Sequence, residues 1–424
     1  MNAATLFLPC AAGVEPLLAD EVARIAGRAA DIGRGGVWVD GDARLAMRLN
    51  LESRLAQRVL WPLADGAYRD EHDLYRLART VDWTAWIAPD QTLRVDVSAQ
   101  RSPLTSLNFA ALRVKDAVCD ALREAPGARR GVNTRRSVLP IALFAGPGNA
   151  TVYADTSGEP LFKRGWRTQQ GEAPLKETLA AAMLAAAGWQ GRPQDGPLLD
   201  PCCGAGTIAI EAAQIACSIA PGAQRGFAFE RLRPFASQLP AWREMKRAAA
   251  ARVRASPVPI FAGDVSFRMT DFAQRNADRA GVAAAIEFRT VDALQRAAPA
   301  PRGTIVLNPP YGERIAPKGR GQRARFGDVG GDAAGEENAP TGRAMAREDF
   351  EGGAAAADFF AALAAHWKHH YAGWTAWLLS PEMKLPSLMH LQASRRVPMW
   401  NGPIECRLFR FELTAGTHRR DRAA

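Results

Sequence analysis

Downstream of Arg167, strand-like and helix-like segments alternate, and this alternation constrains the fold more than any other feature. "GPLLDPCCGAGTIAIEAAQIA" reads as an apolar strand, a glycine turn and a helix. "PIFAGDVSFRMTDFAQRNADRAG" repeats strand and helix, and "AIEFRTVDAL" and "TIVLNPPYGERI" add two more strands. Repeated strand–helix pairs build a parallel, doubly wound sheet, which binds ligands beyond the C-terminal ends of its strands. "APLKETLAAAMLAAAG" precedes the set as a helix stopped by Gly188. "DFFAALAAHWKHHYAG", "TAWLLS" and "MHLQASRRVPMWNGPIECRLFRFEL" close it as a helix, a strand and a hairpin. The expected class is therefore α/β, a Rossmann-like parallel sheet with an antiparallel C-terminal hairpin.

The first 165 residues have a different pattern, mixed α+β. "TLFLPC" and "GGVWVDGD" predict strands, and "VEPLLADEVARI" predicts a helix with Leu17, Leu18, Val22 and Ile25 on one face. Helical periodicity runs through "ARLAMRLNLESRLAQRVLWPL" to Pro62. "TLRVDVSAQ" alternates as a half-buried strand, and "NFAALRVKDAVCDALRE" predicts a helix with Phe109, Leu112, Val118 and Leu122 inward. "SVLPIALFAG" and "NATVYADTSG" form an expected hairpin. Two domains are expected, 1–165 and 166–424. Residues 218–256 are an Arg-rich excursion inside the second domain. Residues 316–353, with nine glycines and almost no large apolar side chains, read as a disordered insertion.

The charge balance points to an anionic partner. The 424 residues carry a formal net charge of +10, which favours nucleic acid. Eleven Lys/Arg against five Asp/Glu fall in residues 101–167, and eight against two in residues 225–254. The six cysteines form no C-x-x-C pair, so they read as reduced thiols of a cytoplasmic protein. No apolar run approaches the roughly 20 residues of a membrane span, and the acidic N-terminal region does not read as a signal peptide.

The strand ends carry the chemistry. Asp200 ends the first parallel strand, followed by Gly204 and Gly206, which let a ligand approach the backbone. No G-K-[ST] follows, which excludes a P-loop. Asp264 ends the second strand, where an acid accepts from ribose hydroxyls. Asp292 ends the third, and Asn308-Pro309-Pro310-Tyr311 ends the fourth. Four successive polar strand ends are far more specific than any one. A proline-rich turn alone would be ordinary.

With these motifs in hand, the chain resembles class I S-adenosylmethionine-dependent methyltransferases. Among them it is similar to the large-subunit ribosomal RNA guanine-N2 methyltransferases that carry an N-terminal ferredoxin-like and THUMP region. The resemblance covers nearly the whole chain, through "LFKRGWR", "APLKETLAAAML", "LLDPCCGAGTIAIEAA", "GDVSFRMTDFAQRNADRAG", "IVLNPPYGERI" and "NGPIEC". The second methyltransferase domain of larger members is not in this sequence. Cys202, Ala205 and Ser266 depart from the residues common in the family, and Ser266 stands where a second acid often follows the ribose-binding one. The resemblance implies that Asp200, Gly204 and Gly206 surround the methionine part of S-adenosylmethionine. It also implies that Asp264 holds the ribose and Asp292 faces the adenine.

The same resemblance gives the fourth strand end a purpose. The Asn308 side-chain oxygen and Pro309 carbonyl are acceptors for an exocyclic amine, Pro310 stiffens the turn, and the Tyr311 ring stacks on a flipped base. No metal is required. The expected partner is 23S ribosomal RNA or a large-subunit assembly intermediate, with phosphate contacts at Arg113, Lys115, Arg129, Arg130, Arg135 and Arg136. Guanine-N2 methylation of transfer RNA, adenine-N6 methylation of DNA and a non-catalytic RNA-binding role in ribosome assembly stand as alternatives. Cys202 and Cys203 read as packing residues and not nucleophiles. His366, His369 and His370 read as a solvated helix face.

Overall fold

The computed structural model describes residues 3–88, 91–124, 139–168, 174–309 and 354–414. The first half contains β1 (Ala4–Pro9), α1 (Glu15–Ala26), β2 (Asp31–Gly33), β3 (Gly36–Gly41), α2 (Ala43–Glu52) and β4 (Leu60–Ala67). It continues with α3 (Glu71–Arg79), β5 (Leu93–Ala99), α4 (Leu107–Glu124), β6 (Leu139–Ala145) and β7 (Asn149–Asp155). These strands form one sheet in the order β2-β3-β1-β4-β7-β6-β5. The expected β6–β7 hairpin is present, and β5 and β6 pair in parallel.

Two expectations fail here, for different reasons. The helix through Pro62 stops at Glu52. The Glu21 carboxylate accepts hydrogen bonds from Ser53 Oγ at 2.7 Å, Arg54 N at 2.9 Å and Leu55 N at 3.2 Å. Those donors give the chain a non-helical path, and Pro62 falls inside β4, where the pairing with β7 shifts register. A proline has no N–H for the ladder, so an irregular position suits it. Phe109 and Leu112 do not point inward either; they are 45% and 54% exposed. The buried face of α4 is Ala110, Val114, Ala117, Val118 and Leu122. At 3.6 residues per turn, Phe109 and Leu112 lie roughly 140–160° around the helix from Val114.

The second half contains α5 (Glu177–Ala187), β8 (Leu198–Asp200), α6 (Thr207–Ala216), α7 (Leu239–Ala251), β9 (Ile260–Asp264), α8 (Phe267–Ala280), β10 (Ile286–Thr290) and β11 (Gly303–Leu307). It ends with α9 (Ala354–His370), β12 (Trp374–Ser380), α10 (Leu385–Leu388), β13 (Ala393–Asn401) and β14 (Ile404–Leu413). The sheet order is β10-β9-β8-β11-β12-β14-β13. From β10 to β12 neighbouring strands are parallel; β14 is antiparallel to both its neighbours. The chain enters at β8, moves outward to β9 and β10, then crosses back to β11 on the other side of β8. That reversal opens a crevice at the C-terminal ends of β8 and β11, where ligands bind in such sheets.

The 218–256 excursion is an ordered bridge. Short 3-10 turns and α7 fold around Trp242, whose ring meets those of Phe229 at 5.0 Å and Phe227 at 5.7 Å. Phe235 of the same segment packs edge-on against Trp61 of β4, with ring centroids 6.1 Å apart. A buried ionic cluster adds a second tie. Glu211 of α6 accepts from Arg164 at 3.1 Å and from Arg54 at 3.3 Å, and its side chain is fully buried. The expected insertion at 316–353 lies outside the described residues.

Candidate active site

β8 and β9 are short and buried, and each delivers a carboxylate to the C-terminal edge of its sheet. The glycine turn after β8 is held from beneath by β9, because Cys203 N donates to Gly263 O at 2.7 Å. It is held from the side by Asp264, whose Oδ2 accepts from Gly204 N at 3.0 Å. Asp264 Oδ1 accepts from Ser266 N at 2.9 Å. Each oxygen keeps a second lone pair, so this partly exposed carboxylate still has acceptors to offer a ligand.

Gly204 and Gly206 both have positive φ, 51° and 89°. A Cβ on Gly204 would meet nothing within 4 Å, so open space adjoins the turn. A Cβ on Gly206 would come within 3.0 Å of the Ala273 side chain, so this glycine permits close packing of α6 on α8. Asn276 of α8 donates to Ala205 O at 3.0 Å and pins the turn from its far side.

Asp200 is 1% exposed, and Cys202 N donates to its Oδ1 at 3.3 Å. Burial pushes its carboxyl up to about 8; the Cys202 N–H and Arg296 oppose the rise and Asp264 adds to it. Asp264 is also raised, by burial, against the pull of the Ser266 and Gly204 amides. Asp292 sits just beyond β10 and accepts from Leu294 N at 2.9 Å. Burial pushes the Cys202 thiol well up, with Asp200, Asp264 and Asp292 adding in that order. Three carboxylates thus converge around one thiol. Cys203 is raised by burial and the same first two acids. Neither sulfur is an activated nucleophile, since activation needs a lowered pKa.

Arg296 is a site residue that the motif reading missed. It is 4% exposed, donates from Nη1 to Ala262 O at 2.9 Å, and its Nη2 has no hydrogen-bond partner. A Cβ at Gly263 would sit 2.5 Å from Arg296 Nη1, so the glycine makes room for the guanidinium. The Arg296 carbonyl accepts from Tyr371 Oη at 2.9 Å and lies 2.7 Å from His366 Nε2. Part of the expected solvated histidine face is therefore a clamp on the turn that carries Asp292. A glycine before the strand-ending acid was the available signal.

Asn308 follows the last residue of β11, the middle strand of the seven, and is partly exposed; Pro309 is buried. β11 pairs with β8, so Asn308 and Asp200 leave the sheet from neighbouring strands. Pro310 and Tyr311 lie outside the described residues. Of the expected phosphate contacts, Lys115 is exposed on α4. Arg113 stacks 4.7 Å over the Tyr75 ring and pairs with Asp116 at 3.4 Å. Arg129, Arg130, Arg135 and Arg136 lie outside the described residues.

A sheet of this order, with a glycine turn after its first strand and acids after three strands, defines the Rossmann-like methyltransferase class. Comparison with known proteins narrows the class. An RMKL-like methyltransferase domain matches residues 164–346, a THUMP domain residues 68–155, and an RlmL ferredoxin-like domain residues 5–60. The chain is 33% identical over 414 residues to a ribosomal RNA large subunit methyltransferase K/L of Shewanella baltica (strain OS195). That match takes in 96% of this chain and 53% of the relative, so the chain spans about half the length of the curated relatives it matches. A solved structure described as a predicted N6-adenine-specific DNA methylase from Listeria monocytogenes is 26% identical, with a TM-score of 0.78 over 97% of this chain and 96% of that one. A putative methyltransferase, SMU.472, solved with SAH, shares the fold at 23% identity, with a TM-score of 0.80 over 98% of this chain and 100% of that one. Ferredoxin-like, THUMP and RMKL-like methyltransferase matches thus follow one another along the chain, and the cofactor that such a methyltransferase domain uses is S-adenosylmethionine.

The donor set suits that cofactor. Open space at Gly204, acceptor carboxylates at three strand ends and a sulfonium's positive charge are mutually compatible.

Proposed function

We propose that this chain transfers a methyl group from S-adenosylmethionine to the exocyclic 2-amino group of a guanosine in RNA, with large-subunit ribosomal RNA as substrate. The placement of Asn308-Pro309 at the end of the middle strand, beside Asp200, is the observation that carries the reading. The name of the Shewanella relative and the THUMP match support the RNA substrate.

Asp264 accepts from the ribose hydroxyls, Asp292 lies on the adenine side, and Asp200 with the turn at Gly204 and Gly206 holds the methionine end. When bound, the cofactor supplies an electrophilic methyl carried on a sulfonium. The Asn308 side-chain oxygen and the Pro309 carbonyl each accept one N–H of the amine. Both acceptors draw the nitrogen towards tetrahedral geometry and orient its lone pair; as the N–C bond formed the S–CH3 bond would break to leave S-adenosylhomocysteine, and the surplus amine proton would pass to water. Catalysis is then positioning and electrostatics. A ring nitrogen bearing only a lone pair would face two acceptors unfavourably. In duplex RNA the target amine lies in the minor groove, so the base is flipped out and stacked on Tyr311. We place the division between the RNA-binding region and the methyltransferase domain near residue 165, with RNA contacts at Arg113, Lys115, Arg129, Arg130, Arg135 and Arg136.

The Listeria structure's description keeps adenine-N6 as the second reading, because the same two acceptors fit any planar amine. Asn308→Ala separates catalysis from binding. It should lower methyl transfer at least a hundredfold, while calorimetric titration with S-adenosylhomocysteine stays within about threefold of wild type; undiminished turnover would rule out this role for Asn308.

A further inference from the structure

Seven of the eight cations of residues 225–254, all but Arg231, fall into two kinds. Arg225 spends its guanidinium on the carbonyls of Pro160, Lys163 and Glu159, at 2.5, 3.0 and 2.5 Å. Arg233 donates to Thr84 O at 2.6 Å, Arg252 pairs with Glu52 at 2.7 Å, and Arg254 donates to Ala216 O at 3.3 Å. These four tie segments of the fold together. Arg243 and Arg247 are different: both are exposed on α7, with no ion pair or hydrogen bond among the described residues. Exposed Lys246 lies 5.1 Å over the buried Trp242 ring, which fixes its stem to the surface. With Pro240, these three line an open surface cavity of about 480 Å³.

α2 of the ferredoxin-like domain runs beside α7. Arg44 near the start of α2 donates to Gln238, just before α7, at 3.2 Å. Glu52 at the end of α2 meets Arg252, just after α7. Helices pinned at both ends in this way are parallel, and exposed Arg48 lies midway between the pins. Its Nη1 donates to Ile25 O at 3.3 Å, which leaves its other N–H groups available. Glu244 is the one exposed acid on α7 itself. Arg243, Lys246 and Arg247 lie roughly 80–180° around α7 from Gln238 and Arg252, so they stand on the face of α7 turned away from α2.

We infer that this outer face of α7, beside the seam, is a second RNA-phosphate surface, separate from the THUMP region and from the catalytic edge, which engages RNA well beyond the target nucleotide. The inference rests on the RNA-methyltransferase reading. Guanidinium forks suit phosphate oxygens, and the outer face of α7 offers three cations with Glu244 beside them. Its distance from the chemistry follows from the helices. Arg254 N donates to Cys217 O at 3.0 Å, at the end of α6 opposite the glycine turn. A ten-residue helix is roughly 15 Å long. A dinucleotide seated at Asn308 would not reach the outer face of α7, whereas a folded RNA would.

The test uses the full chain, with Arg243→Gln, Lys246→Gln and Arg247→Gln combined. Affinity is measured at several salt concentrations for a ribosomal RNA transcript of several hundred nucleotides and for a guanosine-containing dinucleotide. Each lost phosphate contact should lower the slope of log K against log salt by about 0.7–0.9. The triple variant should thus lose about two to three in slope, and on the order of tenfold in affinity for the long RNA. Dinucleotide and S-adenosylhomocysteine affinities should not change. Because Lys246 covers Trp242, a double variant that keeps Lys246 guards against misfolding and should lose about two-thirds of that slope. Unchanged long-RNA affinity and slope in both variants would overturn the inference and leave the methyltransferase reading intact. Wild-type protein that binds neither RNA would remove the RNA-substrate reading and this inference with it.

Discussion

Asp200 shows how one carboxyl links stability to function. Burial raises it to about 8 from an unfolded value near 3.8. The folded chain therefore holds this proton more tightly than the unfolded chain does, so Asp200 weakens the fold as pH climbs from about 4 to about 8. Below pH 4 both states are protonated and the penalty is absent. Asp200→Asn removes the titration. Relative to wild type, the variant should lose less thermal stability between pH 6 and pH 8; parallel melting curves at both pH values would contradict the assignment. Cation binding works in the opposite direction, because an ammonium or sulfonium beside Asp200 favours the ionised form.

Elements differed in how far the sequence revealed them. The parallel strands were legible because each is a short apolar run that ends in a polar residue, so the sequence places Asp200, Asp264 and Asn308 at strand ends. The end of α2 was not, because Leu55 and Val59 continue a helical period while Glu21, more than thirty residues earlier, captures the backbone that would have propagated it. The face of α4 was misassigned because Phe109 and Leu112 outweighed Ala110 and Ala117, although small side chains let a helix lie close to a sheet. Arg296 left a single trace, the glycine before Asp264, because its place depends on a gap beside Gly263 that only the packed strands create. The excursion was legible as charge but not as structure. Its α7 depends on Trp242, which is 2% exposed within a ring of phenylalanines. Trp242→Ala should cost about 3–5 kcal/mol, measured by urea unfolding; a loss under 1 kcal/mol would mean that the aromatic cluster does not hold the bridge.

Across the whole molecule, the two sheets are joined by a buried charge cluster and not by apolar packing alone. Glu211 stands on the helix that follows the glycine turn, and both its partners, Arg54 and Arg164, come from residues before the methyltransferase sheet. Removing its charge strands two guanidinium groups away from water. Glu211→Gln should therefore lower stability by about 3–5 kcal/mol, seen as an earlier midpoint in denaturant, and an unchanged midpoint would show that the cluster does not bind the halves together. The same cluster places the THUMP region and the glycine turn in one frame, which the proposed function needs if RNA is gripped at one place and methylated at another. The most direct measurement of the whole account incubates the purified chain with methyl-labelled S-adenosylmethionine and ribosomal RNA from a strain lacking the gene, then digests the RNA and separates the nucleosides by mass spectrometry. The account predicts label in N2-methylguanosine, lost with Asn308→Ala. Label in N6-methyladenosine, or none in RNA that wild-type protein binds, would contradict it.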